Sequence, residues 1–279
     1  MRRAPRRGAC ARGSSLKRLR LLFQVAFVAA VAVTGIRFAL GSSLTSVEKY
    51  CPFGGLETAY ALLTRSRFTC AAGELNLALF LSVIALALVA RKAFCGWVCP
   101  LGAVLEWTGR LSRRLFRRSS FRGPWPISPR VDAALKVTLR LAVLGAVLAA
   151  TWTTGELLFR GYDPFYVLFS ANGHDVRVWS YAILAAVLGL AVVFPLSWCR
   201  YLCPLGTVLG PFSSVGALRL SRSKEACTGC GACDRSCPQS IPVSRLEEVR
   251  TGECTLCLEC TGSCPAPGAL ELRLPGRRR

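Results

Sequence analysis

Four long, almost purely apolar runs alternate with polar, basic loops along the N-terminal part of the chain: Leu21 to Leu40, Ala71 to Ala90, Val137 to Thr153 and Val178 to Trp198. A helix needs roughly 20 such residues to cross a hydrocarbon core, so each run predicts a transmembrane helix. Glu74 and Arg140 fall near the ends of the second and third runs, where long side chains reach the interface. The intervening segments set the orientation. Residues 1–20 carry eight Lys or Arg and no acid, and residues 91–136 carry ten against two acids, so both are predicted to be cytoplasmic. Residues 41–73 and 154–177 hold three basic against two acidic and two basic against three acidic side chains, and are predicted to lie outside. Both termini are then cytoplasmic. A basic start before an apolar run is also how a secretory leader begins, but no small-residue cleavage site follows here. Cleavage would leave the C-terminus on the same side.

The same order of signals occurs twice. Tyr50-Cys51-Pro52-Phe53 returns as Tyr162-Asp163-Pro164-Phe165, and the FCGWVCPLG stretch from Phe94 returns as WCRYLCPLG from Trp198. Each half, about 21–110 and about 135–210, reads as helix, outer Tyr-x-Pro-Phe loop, helix, inner CxxxCPLG. Both halves have one orientation in the bilayer. That predicts a parallel repeat about an axis along the membrane normal, with the two CxxxCP segments together at the cytoplasmic face.

Composition narrows the class. A hydrophobic content of 52% with 18% charged residues and mean hydropathy +0.41 is too apolar for an ordinary soluble domain. The net charge of +21 does not indicate nucleic acid, because no basic stretch carries the interleaved aromatics used for base stacking. Fifteen cysteines in a chain unlike a small secreted scaffold point to metal ligands. The only histidine is His174 and the only methionine is Met1, so no haem held by paired His, or by His and Met, is expected.

The most specific pattern lies near the C-terminus. Cys227, Cys230, Cys233 and Cys237-Pro238 form one CxxCxxCxxxCP run, and Cys254, Cys257, Cys260 and Cys264-Pro265 form another. In such a pair the fourth cysteine of each run serves the other cluster, so one [4Fe-4S] cluster is expected on Cys227, Cys230, Cys233 and Cys264. The second is expected on Cys254, Cys257, Cys260 and Cys237. Gly229, Gly231 and Ala232 allow close backbone approach to the first. Structural zinc would show CxxC pairs on longer spacers without a third cysteine.

The inner pairs, Cys95 with Cys99 and Cys199 with Cys203, place two thiols about one helical turn apart. Three readings are open: a further metal or cluster site, a redox-active dithiol pair, or cysteines that only pack. Outside, Cys51 and Cys70 face an oxidising compartment and form a candidate disulfide. Arg37, Glu57 and Asp163 lie near outer helix ends or in the outer loops, where ionisable groups can bind a quinol head and take its protons. Solvated or salt-paired interfacial roles are the alternative for each. Trp97 and Trp198 read as interfacial anchors, and Cys10 as incidental.

Two CxxxCP motifs after transmembrane helices, Cys95 to Pro100 and Cys199 to Pro204, followed by an eight-cysteine ferredoxin pattern, resemble the NapH/NosR-type membrane polyferredoxins over about residues 15–270. The resemblance implies a quinol-linked electron-transfer subunit of the quinol dehydrogenase type, in a bacterial-type cytoplasmic membrane, feeding a partner reductase or maturation system. Its partners are then membrane lipid, the quinone pool and a partner redox protein, with no nucleic acid. No appended N-terminal domain or covalent flavin motif is visible. The extra C-terminal domain of copper-reducing relatives is missing too, which weakens the alternative of a metal-reducing assembly factor. A membrane redox sensor signalling through the basic loop from Arg110 to Arg122 is the other alternative.

The expected fold class is an all-α integral membrane domain of four transmembrane helices followed by a small α+β two-cluster ferredoxin-like domain. The expected divisions are a basic arm, 1–20; the membrane domain, 21–204; a linker, 205–224; the ferredoxin-like domain, 225–272; and a basic tail, 273–279.

Overall fold

The computed structural model describes residues 7–41, 47–65, 73–117, 128–154, 161–170, 176 and 178–274. The first half comprises α1 (Arg7–Ala39), a 3-10 turn (Val47–Tyr50), α2 (Pro52–Arg65), α3 (Gly73–Ala90), the short α4 (Ala93–Trp97) and α5 (Pro100–Leu115). The second comprises α6 (Pro129–Thr154), α7 (Pro164–Phe169), α8 (Val178–Val193), a π turn (Trp198–Leu202) and α9 (Pro204–Val215). Of the four runs expected to cross a membrane, two are helices long and apolar enough to do so: Ser15–Ala39 within α1 and Val131–Thr153 within α6. The apolar helices α3 and α8 have 18 and 16 residues, roughly 27 and 24 Å at 1.5 Å per residue, against a hydrocarbon core of roughly 30 Å.

The two halves are intertwined. α5 of the first half packs on α8 of the second, and α9 of the second packs on α3 of the first. Likewise α1 packs on α7 and α6 on α2. The apolar cores follow this exchange position by position. One core joins Val31, Leu101 and Leu105 of the first half to Phe165, Val187, Ala191 and Trp198 of the second. The other joins Val147, Leu205 and Leu209 of the second to Phe53, Val83, Ala87 and Phe94 of the first. These are equivalent residues of the two sequence repeats, so neither half contains a complete core. The close crossing of α1 and α7 requires Gly35, where a Cβ would overlap the Phe169 carbonyl oxygen.

The C-terminal unit is a three-stranded antiparallel sheet in the order β2-β1-β3, with β1 at Arg219–Arg222, β2 at Glu248–Val249 and β3 at Leu270–Arg273. Leu220 of the central strand pairs with Val249 on one side and Leu272 on the other. Two one-turn helices, α10 (Ala232–Ser236) and α11 (Glu259–Ser263), complete the unit over a core of Leu220, Ile241, Val243 and Val249. Residues 205–224, expected as a linker, are instead α9 and the central strand. The apolar face of Leu205 and Leu209 completes the second membrane-domain core, so no slack chain separates the units.

The C-terminal unit docks on the CxxxCP turns through buried charges. Arg20 of α1, 2% exposed, pairs with Glu106 and donates to the carbonyls of Gly96 at 2.9 Å and Cys257 at 3.3 Å. Glu259 receives Arg110 at 2.6 Å and Lys17 at 3.1 Å. Arg140 does not snorkel to the interface as expected. It is 4% exposed and holds both carboxylate oxygens of Glu253 at 2.8 Å while donating to the Cys199 carbonyl at 2.8 Å. Lys92 adds a 3.2 Å contact to Glu253, and the Trp97 indole donates to the Leu256 carbonyl at 3.0 Å. A polar side chain from each long helix thus clamps one CxxxCP turn to an acid flanking the 254–257 loop.

Leu105 and Leu209 are both 0% exposed and occupy equivalent places in the two exchanged cores. Either Leu→Ala change is expected to lower stability by about 2–5 kcal/mol, read as a fall in the thermal midpoint in detergent. Equal losses at both sites are the signature of the exchanged cores; a loss at only one would refute it. Glu253 generates a second prediction. Burial raises its carboxyl, but hydrogen bonds from Arg140 and the charges of Lys92 and Arg140 outweigh this and hold it at about 2 against an ordinary 4.5. Its contribution to docking is therefore complete above the unfolded value and is lost as pH falls from there towards the folded value. Glu253→Gln should weaken docking by about 3 kcal/mol at neutral pH, seen as faster hydrogen exchange across residues 251–259.

Candidate iron–sulfur sites and a central cavity

Both expected ligand sets are gathered, each around one cavity of the C-terminal unit. Cys227, Cys230, Cys233 and Cys264 line one space, with Arg222, Gly231 and Ser244 completing its wall. Cys237, Cys254, Cys257 and Cys260 line a second, walled by Leu220, Ile241, Val243 and Val249. Each run supplies three thiols to one cavity and the thiol of its Cys-Pro step to the other.

Left-handed residues bend the chain around both cavities. In the first run Gly229 and Gly231 have φ of 71° and 65°, the region glycine enters without penalty. In the second, Leu256 and Leu258 take the equivalent places at 46° and 57°. The conformation is strained for a branched side chain and is braced by the Trp97 hydrogen bond to Leu256. The bends turn backbone N–H groups towards sulfur. Donation from the Gly229 and Ala232 amides holds the thiols of Cys227 and Cys230 below the ordinary range, which favours the thiolate that iron needs. Burial instead pushes Cys233, Cys237 and Cys254 up to about 11 and Cys257 to about 12. A bound cationic cluster core offsets that desolvation.

Among the described residues, no three His, Cys, Asp or Glu side chains stand where one metal ion could take them all. A four-iron cube carries thiolates on its outer corners, wider apart than the first shell of a lone ion, and so fits cavities of this kind.

A third, small cavity lies between the repeats, lined by Tyr50, Cys51, Pro52 and Phe53, Phe94, Cys99, Pro100 and Leu101 of the first half. Asp163, Phe165, Trp198, Cys203, Pro204 and Leu205 of the second half line it from the other side. All of the lining residues but Tyr50 and Pro52 have their repeat equivalents across the space. Four Xaa-Pro steps, at Pro52, Pro100, Pro164 and Pro204, begin α2, α5, α7 and α9 there. Proline fits the first helical position, and the residue before it is held extended, so Cys51, Cys99, Asp163 and Cys203 stand as the four starting residues.

This corrects the sequence-based placement of the Tyr-x-Pro-Phe turns in outer loops, a membrane's thickness from the CxxxCP turns. α2 and α7 start within the protein, and the two kinds of turn share one cavity. The recurrence of [Cys/Asp]-Pro-[Phe/Leu] at four places was the available signal. Across the space the Cys51 thiol reaches Asp163 Oδ2 at 3.6 Å, while Asp163 Oδ1 accepts from the Phe165 amide at 3.1 Å.

The other candidates are distributed differently. Cys95 and Cys199 lie one turn behind Cys99 and Cys203, within electrostatic reach of them. Glu57 is buried on α2, receiving the Thr151 hydroxyl at 3.4 Å, away from the cavity lining. Arg37 is exposed in the last turn of α1. Cys70 and His174 lie outside the described residues, as does the side chain of Cys10. Sequence reasoning missed Arg20, Glu106, Glu253 and Glu259, whose roles depend on contacts far apart in the chain.

Comparison with known proteins agrees with these motifs. A family model described as a 4Fe-4S binding domain matches residues 73–119 and 176–223, the segments around the two CxxxCP turns. YccM of Escherichia coli K12, which carries the name of an electron transport protein, is 32% identical over 234 residues, covering 82% of this chain and 64% of YccM. The regulatory protein NosR of Pseudomonas aeruginosa is 33% identical over 61% of this chain and 23% of its own length. The ferredoxin-type protein NapH of E. coli K12 is 25% identical over 64% of this chain and 61% of NapH. The chain therefore spans less than two thirds of each of these relatives. No solved structure matches it. The chain belongs to the family of ferredoxin-type electron transport membrane proteins that includes NapH and NosR.

Proposed function

We propose that the chain is a multi-pass membrane subunit that passes electrons between the quinone pool and a partner redox protein on the cytoplasmic side. Four crossings, with α3 and α8 completing the set, put both termini and the ferredoxin-like unit in the cytoplasm. Cluster one is held by Cys227, Cys230, Cys233 and Cys264, and cluster two by Cys254, Cys257, Cys260 and Cys237. The observation that carries this reading is the gathering of each full ligand set around its own cavity, with the cluster-two loop clamped to a CxxxCP turn.

When bound, the clusters supply one-electron redox centres with potentials set by hydrogen bonding, charge and exposure. The chain's own residues do the rest. Arg140, Lys92 and Arg20 hold the second ligand loop against the membrane domain, and Leu220, Ile241, Val243 and Val249 exclude water from its cavity. Each hydroquinone oxidised gives up two electrons and two protons, the electrons leaving singly and the protons going to water. Cys95, Cys99, Cys199 and Cys203 are the proposed third redox station, either a cluster or exchangeable thiols, and the family model matched to their segments favours a cluster.

Anaerobically purified protein should contain about eight irons and eight acid-labile sulfides from the ferredoxin-like unit, and about twelve of each if the CxxxCP thiols hold a further cube. Fewer than about four would reject the cluster assignment. Cys230→Ala should remove cluster one, with the loss of its low-temperature EPR signal, while leaving the cluster-two signal in place.

A further inference from the structure

Five cations are buried among the described residues, and four of them, Arg20, Arg140, Lys92 and Arg200, meet a carboxylate of Glu106, Glu253 or Asp132. Arg91 does not. It is 1% exposed, and among the described residues its guanidinium finds only carbonyl oxygens. Nε donates to Leu218 at 2.7 Å and Nη1 to Thr251 at 3.1 Å, while Nη2 is buried with no partner. Carbonyl dipoles alone leave a buried cation costly, so a negative charge close by is called for.

The chain is bent to put Arg91 where it is. It follows the last residue of α3 in the left-handed region, φ 56°, which a non-glycine residue enters only at a cost. Gly216 leaves it room, since a Cβ there would stand 2.8 Å from Arg91 Cγ. The Thr251 carbonyl that Arg91 holds also accepts from the Cys254 amide at 3.4 Å, and the Lys92 amide donates to the Cys254 carbonyl at 3.3 Å. The charged groups that bear on Arg91 most are, in order, Cys254, Arg219, Arg250 and Glu248. Glu248 is already met by both Arg219 and Arg250, which leaves the Cys254 thiolate as the negative group for Arg91.

We propose that Arg91 is the resident counter-charge of cluster two, held at its Cys254 corner so that it stabilises the electron taken up there. This role rests on the two-cluster reading above and adds to it a residue that is not a ligand. Four thiolates outweigh the positive charge of an iron–sulfide core, so the bound cluster is negative, and more so by one unit after a single electron enters. No bond is made or broken at Arg91 in that step: the guanidinium keeps its protons, and only the charge it faces changes. Its field raises the potential of cluster two relative to that of cluster one, where Cys230 is exposed to water. The burial that makes Arg91 costly without the cluster makes its field strong with it.

The test is a potentiometric EPR titration of anaerobically purified full-length protein in detergent, reduced by dithionite through mediators, with iron counted in every variant. The cluster-two signal is the one that persists in Cys230→Ala. Arg91→Gln keeps hydrogen-bond donors and drops the charge, Arg91→Lys keeps the charge with fewer donors, and Arg250→Gln removes a charge from the exposed surface of the same unit. In Arg91→Gln the equilibrium constant for reducing cluster two should fall about tenfold, with cluster one moving less than about twofold. Arg91→Lys should stay within about threefold of wild type, and Arg250→Gln should move neither cluster by more than about twofold. An unmoved cluster two in Arg91→Gln, an equal shift of both clusters, or a Lys variant that shifts as far as the Gln variant would overturn the proposal. If Arg91→Gln loses the iron of cluster two, Arg91→Lys decides: iron kept there supports the counter-charge, and iron lost there too overturns it in favour of a hydrogen-bonding role alone. Wild-type protein with no cluster-two signal would overturn the two-cluster reading itself, and the role of Arg91 with it.

Discussion

The buried charge network between the CxxxCP turns and the C-terminal unit is the constraint on which the rest of the structure depends. Arg20, Arg140 and Lys92 are removed from water, and an isolated cation there would be costly. They are tolerable only because Glu106, Glu253 and Glu259 meet them and because open carbonyls of the CxxxCP turns accept from Arg20 and Arg140. Glu253 and Glu259 belong to the C-terminal unit. The membrane domain therefore cannot satisfy its own inner charges, and the two units are energetically one body. A surface ion pair of the usual kind could not do this, because its stabilisation is close to the noise of side-chain entropy.

The exchanged cores explain why the turns are held so firmly. Each CxxxCP turn sits where a helix of its own half ends and a helix that packs into the other half begins. Proline at the head of α5 and α9 fixes that junction, at α5 with the Cys99 thiol accepting from the Gly102 amide, and Gly102 fits against the Cys95 carbonyl, where a Cβ would stand 2.6 Å away. The same Xaa-Pro device begins α2 and α7 from the opposite side. The residues that precede these four helices, Cys51, Cys99, Asp163 and Cys203, line one small cavity between the two cores.

Local chemistry was legible in the sequence and long-range geometry was not. The eight ferredoxin cysteines could be assigned in two sets because their spacing is a ligand pattern, and the two sets line two cavities. The apolar runs announced helices correctly, yet hydropathy alone could not distinguish Arg140 at an interface from Arg140 buried against a residue 113 positions away. It also placed Cys51 and Asp163 in outer loops, because a loop between apolar runs reads the same whether it stays outside or dips inwards. The expected linker, 205–224, instead carries most of a helix and a strand: Pro204 starts α9 and Pro211 sits inside it.

Exposure orders the proposed redox stations. Cys230 is exposed, whereas Cys260 is buried and its cavity is walled by the loop that Trp97 of α4 holds through Leu256. On the proposed assignment, cluster two is the station nearest the bilayer and cluster one the station open to a partner. Solvent and hydrogen bonds stabilise added charge differently at the two sites, so their potentials should differ even with identical ligands. Amide donation at Cys227 and Cys230 against burial at Cys254 and Cys257 is the physical origin of that difference. The sign of the electron flow then follows from the partner and the quinone, while the order of the stations follows from the fold.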